Sequence, residues 1–316
     1  MRKIAFVFPG QGAQYVGMGQ EIFSHSAAAR VIFEQADHRL GINISKMCFS
    51  GSEEDLRLTA NTQPAILTVS VALLKALEAE GIKADYAAGH SLGEYAALVA
   101  AGALEFSDAV WLVRQRGILM QEAVPPGEGT MAAVLGLSAD KTDELCQEAS
   151  TAGVVEPANY NCPGQIVIAG GTPAVEKAID LAKSFGAKRA IKLQVSGPFH
   201  SSLLHPVSER LSELMGQVTI NDAAFPVIAN LTADVTTKAT VIQDNLIRQV
   251  AAPVKWQQSV EKLVDLGVNT FIEIGPGKVL SGLIKKIAKN VAIYNIEDQV
   301  SLNKTLAALR EAEINE

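Results

Sequence analysis

The stretch Tyr86-Ala87-Ala88-Gly89-His90-Ser91-Leu92-Gly93-Glu94-Tyr95-Ala96-Ala97-Leu98-Val99-Ala100-Ala101 decides the fold. Tyr86 to Ala88 is a short apolar run suited to a buried strand, Gly89 to Gly93 fits G-x-S-x-G, and Glu94 to Ala101 has the Ala- and Leu-rich composition of a helix. A strand, a sharp turn and a helix put Ser91 at the tip of a nucleophile elbow. There the strained turn exposes the hydroxyl and the helix N-terminus supplies positive potential, while the glycines admit neighbouring backbone where a Cβ would collide. Ser91 is the candidate nucleophile, and the domain around it reads as α/β.

Towards the N-terminus, Ile4 to Phe8 reads as a buried strand leading into the turn Pro9-Gly10-Gln11-Gly12, with a helical stretch through about Leu40. Gly10-Gln11-Gly12-Ala13-Gln14-Tyr15 fails the dinucleotide fingerprint at its sixth position. Asn61-Thr62-Gln63-Pro64 opens a helix that runs to about Glu80 and ends at Gly81, and Ser107 is expected to N-cap the next helix, which stops before Pro125-Pro126-Gly127. Beyond that break, Met131 to Leu137 is strand-like, and Ser138 caps a helix to about Ala149. Residues 154–160 and 165–169 flank Pro163-Gly164, Thr172-Pro173 starts another helix, and Lys188 to Val195 closes as a strand. That order is a ferredoxin-like β-α-β-β-α-β unit. A helix at Pro206 to Met215, a strand at Phe225 to Leu231, helices at Val241 to Val250 and Val260 to Leu266, and a strand at Thr270 to Ile274 follow. Gly275-Pro276-Gly277 then turns into a last, Lys-rich helix. The expected architecture is a hydrolase-like α/β domain with a short parallel sheet, residues 1–127 and 197–316, carrying an inserted ferredoxin-like small domain, residues 128–196.

With 316 residues and 48% hydrophobic content, the chain can bury one large core and a smaller lobe. A formal charge of −7 and a pI near 5.4 argue against a general nucleic-acid or membrane-surface role. No apolar run approaches the ~20 residues of a membrane span, and Ile4 to Phe8 is too short for a signal-peptide core. Cys48, Cys146 and Cys162 are scattered and odd in number, which suits a reducing compartment rather than a disulfide framework or a zinc site. A cytoplasmic protein is expected.

A serine hydroxyl needs a base, and histidine, with an unperturbed pKa of ~6.5, is the usual one. His90 adjoins Ser91, but neighbours on an elbow point apart; His25 and His38 lie on an N-terminal helix and read as surface residues. His200 and His205 remain. His200 is favoured because Ser196-Gly197-Pro198-Phe199-His200-Ser201 is a Gly- and Pro-fixed loop where the small domain rejoins the large one. Elbow hydrolases run Ser, then acid, then His, yet no acid between 91 and 200 has an obvious claim. A backbone carbonyl orienting the imidazole would make the pair a dyad. Cys162 reads as a small buried residue, since no base is placed for it.

Six blocks in order, Phe8-Pro9-Gly10-Gln11-Gly12, Gly89 to Tyr95, Arg114-Gln115-Arg116-Gly117, Asn159 to Gln165, Gly197-Pro198-Phe199-His200-Ser201 and Glu273-Ile274-Gly275-Pro276-Gly277, resemble those of the malonyl-CoA:acyl carrier protein transacylases. The resemblance spans essentially the whole chain. It implies Ser91 as the acylated nucleophile and His200 as its base, with the main-chain N–H groups of Leu92 and Gln11 as the oxyanion hole. It further implies that the main-chain carbonyl of Gln249 orients the histidine, that Arg116 pairs with the malonyl carboxylate, and that Asn159 lies near the pocket. Phe199 before the histidine goes with malonyl rather than methylmalonyl. Without the family pattern, Arg114 and Arg116 are equally flanked by apolar residues, and neither is preferred.

The implied reaction moves malonyl from malonyl-CoA to the phosphopantetheine thiol of acyl carrier protein, for fatty-acid biosynthesis. The coenzyme A thioester is then a substrate, the phosphopantetheine belongs to the carrier protein, and no cofactor or metal is expected; nor is nucleic acid or membrane, and the chain is expected to be a monomer. Carrier proteins are acidic, so docking calls for a basic patch, with Lys188, Arg189 and Lys192 or Lys285, Lys286 and Lys289 as candidates. A serine thioesterase or hydrolase, a trans-acting polyketide-pathway acyltransferase and an idle scaffold are the rival readings.

Overall fold

Five consecutive apolar residues make β1 (Ile4–Phe8), and all five are buried because helices cover both faces of its sheet. The structure, a computed structural model, describes residues 2–195 and 197–315. After β1 come α1 (Gln20–His25), α2 (Ala27–Leu40), α3 (Ile44–Ser50), α4 (Glu53–Arg57), α5 (Thr59–Ala79), β2 (Tyr86–Gly89), α6 (Gly93–Ala100) and α7 (Phe106–Glu122). A second body follows: β3 (Gly129–Leu135), α8 (Ala139–Ala149), β4 (Val155–Cys162), β5 (Gln165–Gly171), α9 (Thr172–Ala182) and β6 (Arg189–Lys192). The chain then returns to the first body through α10 (His205–Met215), β7 (Val227–Ile228), β8 (Val235–Thr236), α11 (Ala239–Gln249), α12 (Trp256–Asp265), β9 (Thr270–Ile274), α13 (Val279–Ile287), β10 (Ala292–Ile296) and α14 (Gln299–Asn315).

The fold is a mixed α/β one built on a parallel sheet. Its six strands run β10-β9-β1-β2-β7-β8, parallel except for the antiparallel edge pair β7–β8. Alternation along β1 sends Ile4, Phe6 and Phe8 to the core shared with α2, α5 and α7, and Ala5 and Val7 to the core under α12 and α13. The second body is a four-stranded antiparallel sheet in the order β4-β5-β3-β6. One face packs on α8 and α9; from the other, Met131, Ala158, Val167 and Ala169 meet Met120, Phe199, Leu204 and Val250 of the first body.

Polar ties fasten the two bodies. Val254 N–H donates to Ala158 O and Tyr160 N–H to Val254 O, both at 2.9 Å. The Glu156 carboxylate accepts from the main chain and the hydroxyl of Ser202, each at 2.8 Å. The cleft between the bodies therefore has fixed walls.

The structure departs from the sequence reading at several elements. The first helical stretch is split at Ser26, whose side chain caps α2 by accepting from Ala29 N. Helix α5 begins at Thr59, two residues early, and holds Pro64 inside it. Ser107 is not the N-cap of α7: Glu105 is, and buried Phe106 anchors the first turn. Strands β6 and β7 are shorter than expected, and β8, β10 and α14 were not foreseen. The half-exposed β10 carries an edge strand's weak pattern, while α14 docks through Leu302, Leu306 and Leu309. Ser196, assigned to the end of the small domain, lies outside the described residues. Among the described residues no helix is long and apolar enough to cross a membrane.

The elbow demands glycine by close approach. A Cβ on Gly89 would stand 1.9 Å from the Gly93 carbonyl carbon, and one on Gly93 would stand 2.1 Å from Phe8 O, with only backbone to yield. Gly89→Ala is expected to lower unfolding free energy by about 2–4 kcal/mol. Gly282→Ala, with nothing within 4 Å, should be neutral or slightly stabilising; chemical denaturation of both variants checks the contrast.

Candidate active site

Among the described residues, Ser91 and His200 are two of the three non-glycine residues with positive φ, at 51° and 62°. Such conformations cost of order 1–3 kcal/mol each and persist only where the surroundings enforce them. At Ser91 the enforcement is visible. Its N–H donates to Asn230 Oδ1 at 2.6 Å, Asn230 Nδ2 donates to Gly89 O at 2.6 Å, and His90 N–H donates to Phe8 O at 3.0 Å.

Ser91 Oγ and His200 Nε2 stand 2.7 Å apart. On the far side of the ring, Nδ1 lies 2.9 Å from Gln249 O and 3.1 Å from Ala252 O. Two carbonyl oxygens there require a proton on Nδ1, which leaves Nε2 as an acceptor for the serine hydroxyl. The imidazole is thus oriented by main chain. Burial, and then the charge of Arg116, push its pKa down to about 3, so the ring is neutral at physiological pH.

Arg116, on α7, is 1% exposed. Nη1 donates to Gln63 Oε1 at 2.8 Å, and Nη2 donates to Gln249 Oε1 at 3.0 Å and to Ser91 Oγ at 3.1 Å. The guanidinium lies 5.7 Å from the centre of the Tyr95 ring, and its Nε has no hydrogen-bond partner among the described residues. Among the described residues no ion pair includes it. It is a buried cation whose hydrogen bonds go to neutral oxygens, with a ring face beside it, next to the Ser91 hydroxyl. The ambiguity with Arg114 is resolved by Pro64. Proline has no N–H to offer the carbonyl four residues back, and Arg114 Nη1 donates to that carbonyl, Ala60 O, at 2.5 Å. Arg114 completes a helix, whereas Arg116 faces the cleft.

Gln11, Leu92, Asn159 and Phe199 line one cavity with Ser91, Arg116 and His200. Its volume is about 120 Å³, room for a short acyl group. Gln249 lies behind it, and its side chain is buried rather than solvated. A second cavity of about 260 Å³ shares Gln11, His90 and Asn159 with the first and extends to Gln165, Leu280 and Leu283. At that outer end Lys286 Nζ donates to Gln165 Oε1 at 3.3 Å, and Lys188 packs over Gly136, whose N–H bonds Gly164 O. Lys192, by contrast, is tied to Glu176 at 2.7 Å.

The other histidines fall away as expected. His90 turns from Ser91 to Asn161 Oδ1, 2.8 Å away, and His25, His38 and His205 are exposed. Burial raises the Cys162 thiol pKa, the opposite of an activated nucleophile. Sequence reasoning missed Glu94, Asn230, Gln63 and Tyr95. Glu94 had a readable signal: it is a lone acid in an otherwise apolar helix, three residues past Ser91. Among the described residues no group of acids, histidines and cysteines could hold a metal.

Residues 5–309 match the acyl transferase domain family. The chain is 50% identical to the malonyl CoA-acyl carrier protein transacylase of Bacillus subtilis (strain 168), over the full length of both. It superposes with a TM-score of 0.96 on the crystal structure of malonyl CoA-acyl carrier protein transacylase from Clostridium perfringens, at 47% identity, covering 99% of this chain and 98% of that one. A malonyl-transacylase solved in complex with its type II PKS acyl-carrier protein is 40% identical, with a TM-score of 0.94 and coverage of 97% and 99%.

The state of His200 sets a pH dependence. The unfolded chain takes up a proton near pH 6.5 that the folded state refuses until about pH 3, so this contribution to stability is lost as pH falls through that window. At pH 5 the loss is about 2 kcal/mol relative to pH 8. Denaturation of wild type should weaken by that margin more than denaturation of His200→Asn over the same pH step.

Proposed function

The chain belongs to the acyl transferase domain family, and from that premise we propose that it transfers malonyl groups from malonyl-CoA to acyl carrier protein, in fatty-acid biosynthesis. The observation that carries the substrate is the buried Arg116 guanidinium, which makes no direct ion pair among the described residues and stands 3.1 Å from Ser91 Oγ. A carboxylate-bearing acyl group supplies the missing charge in a two-point hydrogen-bonded pair.

In the first step Ser91 Oγ attacks the thioester carbon while His200 Nε2 takes the hydroxyl proton. The oxyanion is received by the main-chain N–H groups of Leu92 and Gln11. Collapse breaks the C–S bond, and His200 returns the proton to the departing coenzyme A thiolate. In the second step the phosphopantetheine thiol gives its proton to His200 and attacks the malonyl-serine carbon, and Ser91 leaves with that proton. Arg116 holds the carboxylate throughout, and the carboxylate offsets the Arg116 charge that, after burial, most depresses His200, so the base strengthens as the substrate arrives. Phe199 bounds the acyl group beside its α-carbon, Asn159 flanks it, and Gln249 O keeps His200 in the required tautomer. The chemistry calls on no resident cofactor or metal.

The larger body reads as a hydrolase-like domain, residues 1–127 and 197–316, and the smaller as ferredoxin-like, residues 128–196; the β-α-β-β-α-β order and the strand sequence β4-β5-β3-β6 support the latter. A monomer in the cytoplasm is the proposed working form. The carrier protein docks where Lys188 and Lys286 flank the outer cavity, and the pantetheine arm enters through it. A hydrolase would use the same serine and oxyanion hole, and slow hydrolysis of the malonyl-serine relative to its transfer separates the two readings.

Arg116→Ala should cut kcat/KM for malonyl-CoA by about 10²- to 10³-fold and leave acetyl-CoA transfer far less affected; equal loss on both donors would contradict the assignment. Lys286→Glu with Lys188→Glu should raise the KM for carrier protein several-fold at low salt and leave Ser91 acylation unchanged, which stopped-flow acylation and steady-state transfer together measure.

A further inference from the structure

Glu94, in the first turn of the otherwise apolar α6, is 1% exposed. Burial pushes its carboxyl up to about 7, so its retention there needs a reason. Its Oε2 receives two hydrogen bonds, from Gln249 Nε2 at 2.7 Å and from Asn230 N at 3.0 Å. Both donors lead directly to the reacting groups. Gln249 points its Oε1 at Arg116 and its main-chain carbonyl at His200, and its Nε2 also donates to Ser91 O at 3.1 Å. Asn230 holds the Ser91 N–H and the Gly89 carbonyl.

An amide has one accepting end and one donating end. With an acceptor at its Nε2 end, Gln249 must turn Oε1 toward the guanidinium; the opposite orientation would set an NH₂ against Arg116 and an oxygen against the carboxylate. We propose that Glu94 is a positioning residue for donor selectivity, fixing the Gln249 amide and through it the Arg116 guanidinium, so that the site prefers carboxylate-bearing acyl groups. The proposal rests on the acyl-transfer reading above. Glu94 touches no reacting atom and acts through Gln249 and Asn230.

The test compares malonyl-CoA and acetyl-CoA as donors for wild type, Glu94→Ala, Glu94→Gln and Glu94→Asp, each checked by thermal melting. Glutamine keeps an accepting oxygen at the same reach, aspartate keeps the charge at a shorter reach, and alanine keeps neither. Glu94→Ala should lower malonyl kcat/KM by about 10- to 100-fold with a much smaller loss for acetyl, and Glu94→Gln should restore most of the malonyl preference. If the alanine variant does not fold, the order wild type, then Gln, then Asp in malonyl preference carries the same inference. Proportional loss on both donors, or an unchanged preference in Glu94→Ala and Glu94→Asp, would overturn it. Wild type that takes no malonyl from malonyl-CoA would instead overturn the acyl-transfer reading beneath it, so the two failures are distinct.

Discussion

Burying a guanidinium without a direct ion pair costs several kcal/mol, and much of this molecule is arranged around Arg116, which has none among the described residues. Helix α7 brings the residue in, α5 offers the Gln63 oxygen, α11 offers the Gln249 oxygen, and α6 lays the Tyr95 ring beneath it. These groups soften the penalty without cancelling the charge. In the proposed reading, the remaining deficit is a standing preference for an anion at one point, beside Ser91. A hydrophobic pocket could not make that distinction, since a methyl group more or less is worth only ~1–3 kcal/mol.

Around that charge the site is held rather than free to adjust. Ser91 and His200 both occupy left-handed backbone, and each is pinned by partners from distant sequence: Asn230 for the serine, Gln249, Ala252 and the Glu156–Ser202 tie for the histidine. Glycines 89 and 93 allow the strand and helix of the elbow to touch through backbone alone. Donors and acceptors fixed in this way need no reorganisation when charge develops on the reacting carbonyl. The small antiparallel body closes one side of the cleft, and its β4 is hydrogen-bonded across to Val254.

Much of this was legible in the chain, where the signal was local. The elbow, the Ser138 cap and the alternation of strands and helices through the second body depend on neighbours in sequence, and the structure has them within a few residues of the reading. Edge strand β10 and helix α14 were missed because partial burial gives weak periodicity. The choice between Arg114 and Arg116 could not be read from flanking residues, since it turns on which face of α7 meets α5. In hindsight Pro64 held a clue, because it leaves the Ala60 carbonyl in want of a donor that Arg114 supplies. The Gln249 side chain and Asn230 belong to contacts more than a hundred residues apart in sequence, where no local pattern reaches.

The most direct test of the central claim is intact-protein mass spectrometry of wild type and Ser91→Ala after brief exposure to malonyl-CoA and, separately, acetyl-CoA. A single malonyl adduct on wild type alone, formed in strong preference to acetyl and discharged by acyl carrier protein, is the expected result. An adduct that survives Ser91→Ala, or equal acylation by the two donors, would contradict a nucleophile at Ser91 selected for by the charge at Arg116.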